Sequence, residues 1–237
     1  MLKDEIRQQT VKMKDMTLSQ KASYIWDYYK IPILAALFLI FLTAFFINER
    51  MHHKDVVLNV VMLGSNVEGP VSDTFLEGLA DALPSYDPEK ETLTVNADYD
   101  LNGTDQFSLT YRQKLMAEYS IGAVDATIGS EEDIKMLADF QAFGDLRTIL
   151  PEDLYSYLES SGIRIINARY EDPSTGKIYD FPAAVDISSS PVLSKGFDDY
   201  EGQHREYYDT PCFLGISPNT EHPENSIVLL KYLLDIK

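Results

Sequence analysis

Cysteine occurs once in the 237 residues, at Cys212, so no intrachain disulfide can form. A domain of this size exported without disulfides has to be held by its core. Such sparing use of cysteine fits the outside of a Gram-positive bacterial cell better than an animal secretory pathway. Histidine is nearly as scarce: His52, His53, His204 and His222 are the four, and none falls in a metal-ligand spacing such as H-E-x-x-H. The adjacent His52 and His53 read as polar linker. No G-x-S-x-G elbow, phosphate-binding loop or Rossmann glycine pattern occurs. Cys212 sits in an apolar Cys-Phe-Leu run, the setting of a small buried side chain rather than a nucleophile. These shortages point away from an enzyme, a cofactor and a metal site.

Basic residues are the next shortage, with 20 Lys and Arg against 38 Asp and Glu, a net charge of −18. The imbalance is not uniform. Residues 1–54 hold eight basic and five acidic residues, leaving 12 and 33 in residues 55–237, a local net of −21. Such a surface repels phosphate backbones, and no basic stripe interleaved with aromatics is present, so no nucleic-acid partner is expected. The acidity reads first as a solvated surface held away from an anionic membrane or wall.

What the chain does have is one long apolar run, Ile31 to Ile47, seventeen residues without a charge. At about 1.5 Å per residue this is near the lower limit for a hydrocarbon layer of ~30 Å. Tyr28, Tyr29 and Lys30 can extend it into the interface, where aromatic rings and snorkelling amines are favoured. A cleaved signal peptide fits less well, because thirty residues precede the run and Phe45-Phe46-Ile47-Asn48-Glu49 offers no small-x-small site. Lys12, Lys14, Lys21 and Lys30 before the run outnumber Arg50 and Lys54 after it, which puts the N-terminus inside. The expected organisation is a cytoplasmic amphipathic segment (1–30), a transmembrane helix (31–47), a linker (48–55) and an extracytoplasmic domain (56–237), on a single-pass protein of the cell membrane. Thr17-Leu18-Ser19-Gln20 is a capping-box pattern. It places Leu18, Ala22, Ile25, Trp26 and Tyr29 on one helical face, suited to the inner headgroup layer or to a partner helix.

In the outer region, strands are expected at 56–63, 92–97 and 124–128, each followed by a helical pattern. The helices are carried by Phe75, Leu76, Leu79 and Leu83, by Phe107, Tyr111 and Leu115, and by Ile134, Leu137 and Ala138. Gly64-Ser65-Asn66 and Gly69-Pro70 supply the first turn, and Val71 opens the first helical pattern. That alternation predicts an α/β fold with a mostly parallel sheet and helices on both faces. After Pro151 the pattern gives a short helix at 154–158 and a strand at 164–170. A turn at Asp172-Pro173-Ser174-Thr175-Gly176-Lys177 leads to a strand at 178–187. A tyrosine-rich loop at 194–210, a late strand at 213–217 and a last helix at 226–236 complete it.

Several of these stretches resemble the extracytoplasmic solute-binding proteins of bacterial transporters, the type 2 periplasmic-binding fold. Gln113 to Tyr119 followed by Gly122 to Ile128 is similar to that family's helix, glycine turn and strand. Leu137-Ala138 through Phe143-Gly144-Asp145-Leu146 resembles a second family segment. Gly176-Lys177-Ile178-Tyr179-Asp180-Phe181-Pro182 resembles its crossover, with Asp180 in place of glycine. Leu214 to Ser217 with Pro223 to Leu234 looks like its closing strand and helix. The resemblance implies a periplasmic-binding-like domain, but only about twenty residues lie between Val192 and Phe213, where a second lobe would be inserted. That lobe is expected to be reduced or absent.

In open α/β sheets ligands sit beyond the carboxyl ends of the strands. The candidate ligand-binding residues there are Ser65 and Asn66, Ser130, and Asp186 with Ser188; turns and helix caps use the same residue types. Asp98 to Gly103 matches half a calcium loop but has Leu109 where a bidentate Glu is needed, so a turn is the better reading. Two functions remain open: a membrane-anchored ligand-binding or sensing domain for a small solute, or a cell-envelope scaffold that binds protein partners, with Tyr200, Tyr207 and Tyr208 as its exposed patch.

Overall fold

The structure, a computed structural model, describes residues 16–67, 73–99, 101, 103, 106–171, 175–199 and 201–236. Lys12 and Lys14 of the orientation argument lie outside the described residues, as do Gly69, Pro70 and Val71 of the first connection, Asp100 and Asn102 of the calcium-like loop, Asp172 to Ser174 of the hairpin turn, and Tyr200.

The chain divides into two units, residues 1–53 and 54–237. In the first, helix α1 (Leu18–His52) starts at the expected cap. Gln20 N–H donates to Thr17 Oγ1 at 3.5 Å, and Thr17 N–H donates to Gln20 Oε1 at 3.0 Å. The helix runs on past the apolar run to His52, so Asn48 to His52, expected as linker, are helical. Within it Tyr29–Asn48, twenty residues of mean hydropathy 2.4 and wholly unburied, is long and apolar enough to cross a membrane. Inside this stretch Thr43 returns its hydroxyl to the Leu39 carbonyl at 2.8 Å, which removes a free donor from an apolar surface.

The second unit is a mixed α/β fold around a six-stranded sheet. Its elements in order are β1 (Asp55–Met62), α2 (Asp73–Ala82), β2 (Glu91–Asn96), α3 (Gln106–Ser120), β3 (Ala126–Gly129), α4 (Glu131–Ala138), α5 (Leu146–Ile149), α6 (Glu152–Ser160), β4 (Ile165–Glu171), β5 (Ile178–Asp186), β6 (Phe197–Asp198), β7 (His204–Arg205), β8 (Phe213–Ile216) and α7 (Pro223–Leu234). The strand order is β2-β1-β3-β8-β5-β4. β1 pairs in parallel with β2 and β3, whereas β8 enters antiparallel between β3 and β5, and β4 closes the sheet as a hairpin with β5. Four strands, β1, β2, β3 and β5, therefore point the same way, and the sheet is mostly parallel by direction.

Alternation along β1 explains the layering. Leu58, Val60 and Met62 face one side, with Phe75 and Leu79 of α2, Leu154 and Leu158 of α6, and Leu229, Leu230 and Leu233 of α7. Val61 and Leu63 face the other, with Leu115 and Tyr119 of α3 and Ile134, Leu137 and Ala138 of α4. A period of two in the strands and 3.6 in the helices buries both faces, so β1 reads as a nearly continuous apolar run.

Candidate functional site

The five candidate residues all reach the carboxyl edge of the parallel strands, but most spend their hydrogen bonds on the fold. Ser130 caps α4: its hydroxyl donates to Asp133 Oδ2 at 2.7 Å and accepts from Asp133 N–H at 3.2 Å. The helix N-terminus is thereby capped by the chain's own carboxylate. Ser188 staples the loop after β5, donating from its N–H and hydroxyl to Asp186 Oδ1 at 2.9 and 2.6 Å and accepting from Cys212 N–H at 3.0 Å. Asn66 donates through Nδ2 to the Glu206 carbonyl at 3.1 Å and through its N–H to the Tyr207 carbonyl at 2.9 Å. Only Ser65 differs. Its Oγ is buried without a partner among the described residues, and it lines a hollow of about 200 Å³ with Gly64, Asp98, Tyr99 and Asp133.

The partner of Asn66 reveals what fills this edge. Within residues 194–210, expected as a tyrosine-rich loop, Phe197–Asp198 and His204–Arg205 pair as the β6–β7 ribbon, and Tyr207 and Tyr208 then pack down on the sheet. Tyr207 is 2% exposed and packs on Phe75 and Phe197, with ring centroids 5.7 and 5.0 Å away. Tyr208 donates its hydroxyl to the Ile128 carbonyl at 3.3 Å, at the end of β3. Burial pushes its phenol well above the ordinary range. The expectation of Tyr207 as part of an exposed patch is therefore corrected. It belongs to the core, because only an apolar plug can cover the ends of β1 and β3 without leaving their side chains in water. At the calcium-like loop the Arg112 guanidinium bonds the carbonyls of Leu101 and Gly103, the latter at 3.2 Å. Among the described residues no cluster of three or more His, Cys, Asp or Glu could hold a metal ion.

A larger hollow of mixed character lies at the opposite edge of the sheet, beyond the amino end of β5. It is an open groove of about 870 Å³ between the last turn of α3 and the turn that follows α4 on one side and the β4–β5 hairpin on the other. The floor is core: Phe143 is 3% exposed and Tyr119 5%, the two rings meeting edge to face at 6.3 Å. Tyr119 shares a short hydrogen bond with Thr127, and burial raises its pKa above the ordinary phenol range. The rim is aromatic. Tyr170 and Tyr179, paired across the hairpin, stack at 6.0 Å with their planes 22° apart. Phe140, just past α4, is 62% exposed.

Charge in the groove is arranged asymmetrically. Arg147 is held by Asp145 through Nε to Oδ1 at 2.9 Å and Nη2 to Oδ2 at 2.6 Å. That contact lowers the Asp145 pKa and raises that of Arg147, with the Asp180 carboxylate adding to the latter. Two carboxylates thus face one guanidinium. The ends of α3 and α4 here are C-terminal, the negative ends of their dipoles. Gln141, also on the rim, has φ +60, a left-handed backbone rarely used by a residue with a side chain.

The reading from sequence missed this groove. A signal was present: Tyr170 and Tyr179 stand either side of one turn, which places them opposite each other on one face of a hairpin. The chain matches no protein-family model, no curated protein and no solved structure.

Proposed function

We propose that the chain is a membrane-anchored extracytoplasmic domain that binds or senses a ligand without transforming it, and that the groove between α3, α4 and the β4–β5 hairpin is its site. The observation that carries this reading is the exposed aromatic rim on a rigid buried floor, in a hollow of about 870 Å³. That volume and mixed lining are those of ligand sites. The anchor rests on Tyr29–Asn48 and the orientation on the lysine bias. The relation to solute-binding proteins is supported by β8, which returns from the end of the chain to lie beside β3 as a closing strand would. The short β6–β7 ribbon supports a reduced second lobe. Binding rather than catalysis fits Cys212, whose thiol burial pushes up to about 12.

Thermal unfolding of the full chain in detergent, screened against amines, sugars, amino acids, peptides and metal ions, tests the reading. A ligand that raises Tm in the wild type but not in Phe140→Ala is expected. Flat responses across every class, or a shift unchanged by Phe140→Ala, would overturn it.

One observation favours the scaffold reading: Ile121, 75% exposed, and Phe140 stand at the ends of adjacent helices on this edge. A protein partner there would crosslink to a photoreactive group at Ile121 in cells while the solute screen stayed flat.

A further inference from the structure

We propose that the groove takes an organic ammonium ion, a small amine or quaternary amine, bound by its aromatic rim and its excess carboxylate. This rests on the reading of the groove as a ligand site and names the ligand's class. One cation already stands at the rim. The ammonium of Lys177 stands over the Tyr179 ring, 4.5 Å from its centroid. The negative face of an aromatic ring attracts such a charge, more strongly as water is excluded. Lys177 sits on an exposed turn and contributes the only chemistry that a free amine would need to reproduce.

Three features then set the sign of the ligand. Asp145 is matched by Arg147, whereas Asp180 forms no ion pair among the described residues, so the lining sets two carboxylates against one guanidinium, and the Lys177 ammonium is the charge a ligand would replace. The C-terminal ends of α3 and α4 add partial negative charge. Residues 55–237 have a net charge of −21, which concentrates cations near their surface. An anion would meet Arg147 and the N-terminus of α5 already taken up by Asp145, and repulsion on approach. A neutral ligand would find the rings but gain nothing from the charge. An extended peptide added to the free side of β5 would meet Pro182, which offers no N–H donor, and α5 packed alongside.

The test is calorimetric titration of the full chain in detergent with spermidine and with choline, at low and high salt. Maltotetraose, acetate and the tripeptide Ala-Lys-Ala serve as comparisons. One of the two amines is expected to bind, more weakly at high salt. Tyr179→Ala and Asp180→Asn should each weaken it by about tenfold, the scale of a central aromatic or charged contact. Lys177→Gln should tighten it, because it removes the competing ammonium. Asp180→Asn changes no volume, so it guards against misfolding as the cause. Amine binding that survives both weakening substitutions, or is not tightened by Lys177→Gln, would overturn the assignment. Binding of only the sugar, the acetate or the tripeptide, abolished by Tyr179→Ala, would overturn the ammonium class while leaving the groove as a ligand site. Silence of every probe would remove both.

Discussion

The ring of Phe143 lies where a side chain at Gly215 would be: a Cβ added there would stand 2.5 Å from two of its ring atoms. Gly215 is in the middle of β8, paired with Thr127 and Ala184, so the backbone cannot yield without disturbing two ladders. The bare strand is what lets the groove floor sit flat on the sheet. Gly215→Ala is therefore expected to cost about 1–3 kcal/mol, the range of an overpacked core. Chemical denaturation would measure it. Phe143→Leu should recover part of that loss when combined with Gly215→Ala, giving a total less than the sum of the single effects.

Strand and helix positions were legible because both periodicities are strong. Val56 to Leu63 and Val124 to Ile128 carry the β-branched runs of strands, and α2 keeps one apolar stripe, whereas in α3 Leu115 and Tyr119 are buried and Tyr111, expected on the stripe, is exposed. The antiparallel entry of β8 was not legible, because Phe213 to Ile216 has the same composition whichever way it runs. Tyr207 and Tyr208 misled for a related reason: Tyr is at home in core, interface or surface, and only Phe75, Phe197 and the Ile128 carbonyl decide between them. The groove depends on four separate segments meeting at one edge, which no local pattern encodes.

Asp125 should make stability depend on pH in an unusual direction for so acidic a protein. It is 2% exposed, accepts from the Asn59 N–H at 2.7 Å and makes a short bond with Thr220. Burial nevertheless outweighs these bonds and raises its pKa. A raised folded pKa contributes stability that is complete below the unfolded carboxylate value, about 3.9, and is lost as pH rises through the folded value. Glu131, Asp145 and Asp199 oppose it, since their lowered pKa values contribute stability that is lost as pH falls. Asp125→Asn isolates the difference. Its stability relative to wild type should rise with pH across the weakly acidic range and then level off. A relative stability that falls with pH instead would mean that the bonds, not burial, dominate.

Ser65 and Ser130 look alike in sequence and should respond oppositely to truncation. Ser130→Ala removes a cap from α4 and leaves Asp133 only the backbone N–H of residue 130, a loss of about 1 kcal/mol. Ser65→Ala removes a buried hydroxyl that has no partner among the described residues, so the fold gives up no bond seen there and is spared the cost of dehydrating it. A Tm equal to or above wild type is expected for Ser65→Ala and a lower one for Ser130→Ala. A clear loss at Ser65 would place a bound water or ligand on its hydroxyl.

Orientation in the membrane can be read with single cysteines because the native one is silent. Cys212 is 3% exposed, and burial holds its thiol up to about 12, so almost none is the reactive thiolate at neutral pH. Glu201 and Ser19 are both exposed, one in each unit. In intact cells a membrane-impermeant maleimide should label Glu201→Cys and spare Ser19→Cys, with both labelled after lysis. The lysines before the apolar stretch and the charge of −21 beyond it argue for that result, since a positive flank is retained inside. Labelling of Ser19→Cys alone would invert the topology and remove the envelope from the proposed function. Labelling of neither until lysis would place the acidic unit inside. Any ammonium it met would then come from the cytoplasm.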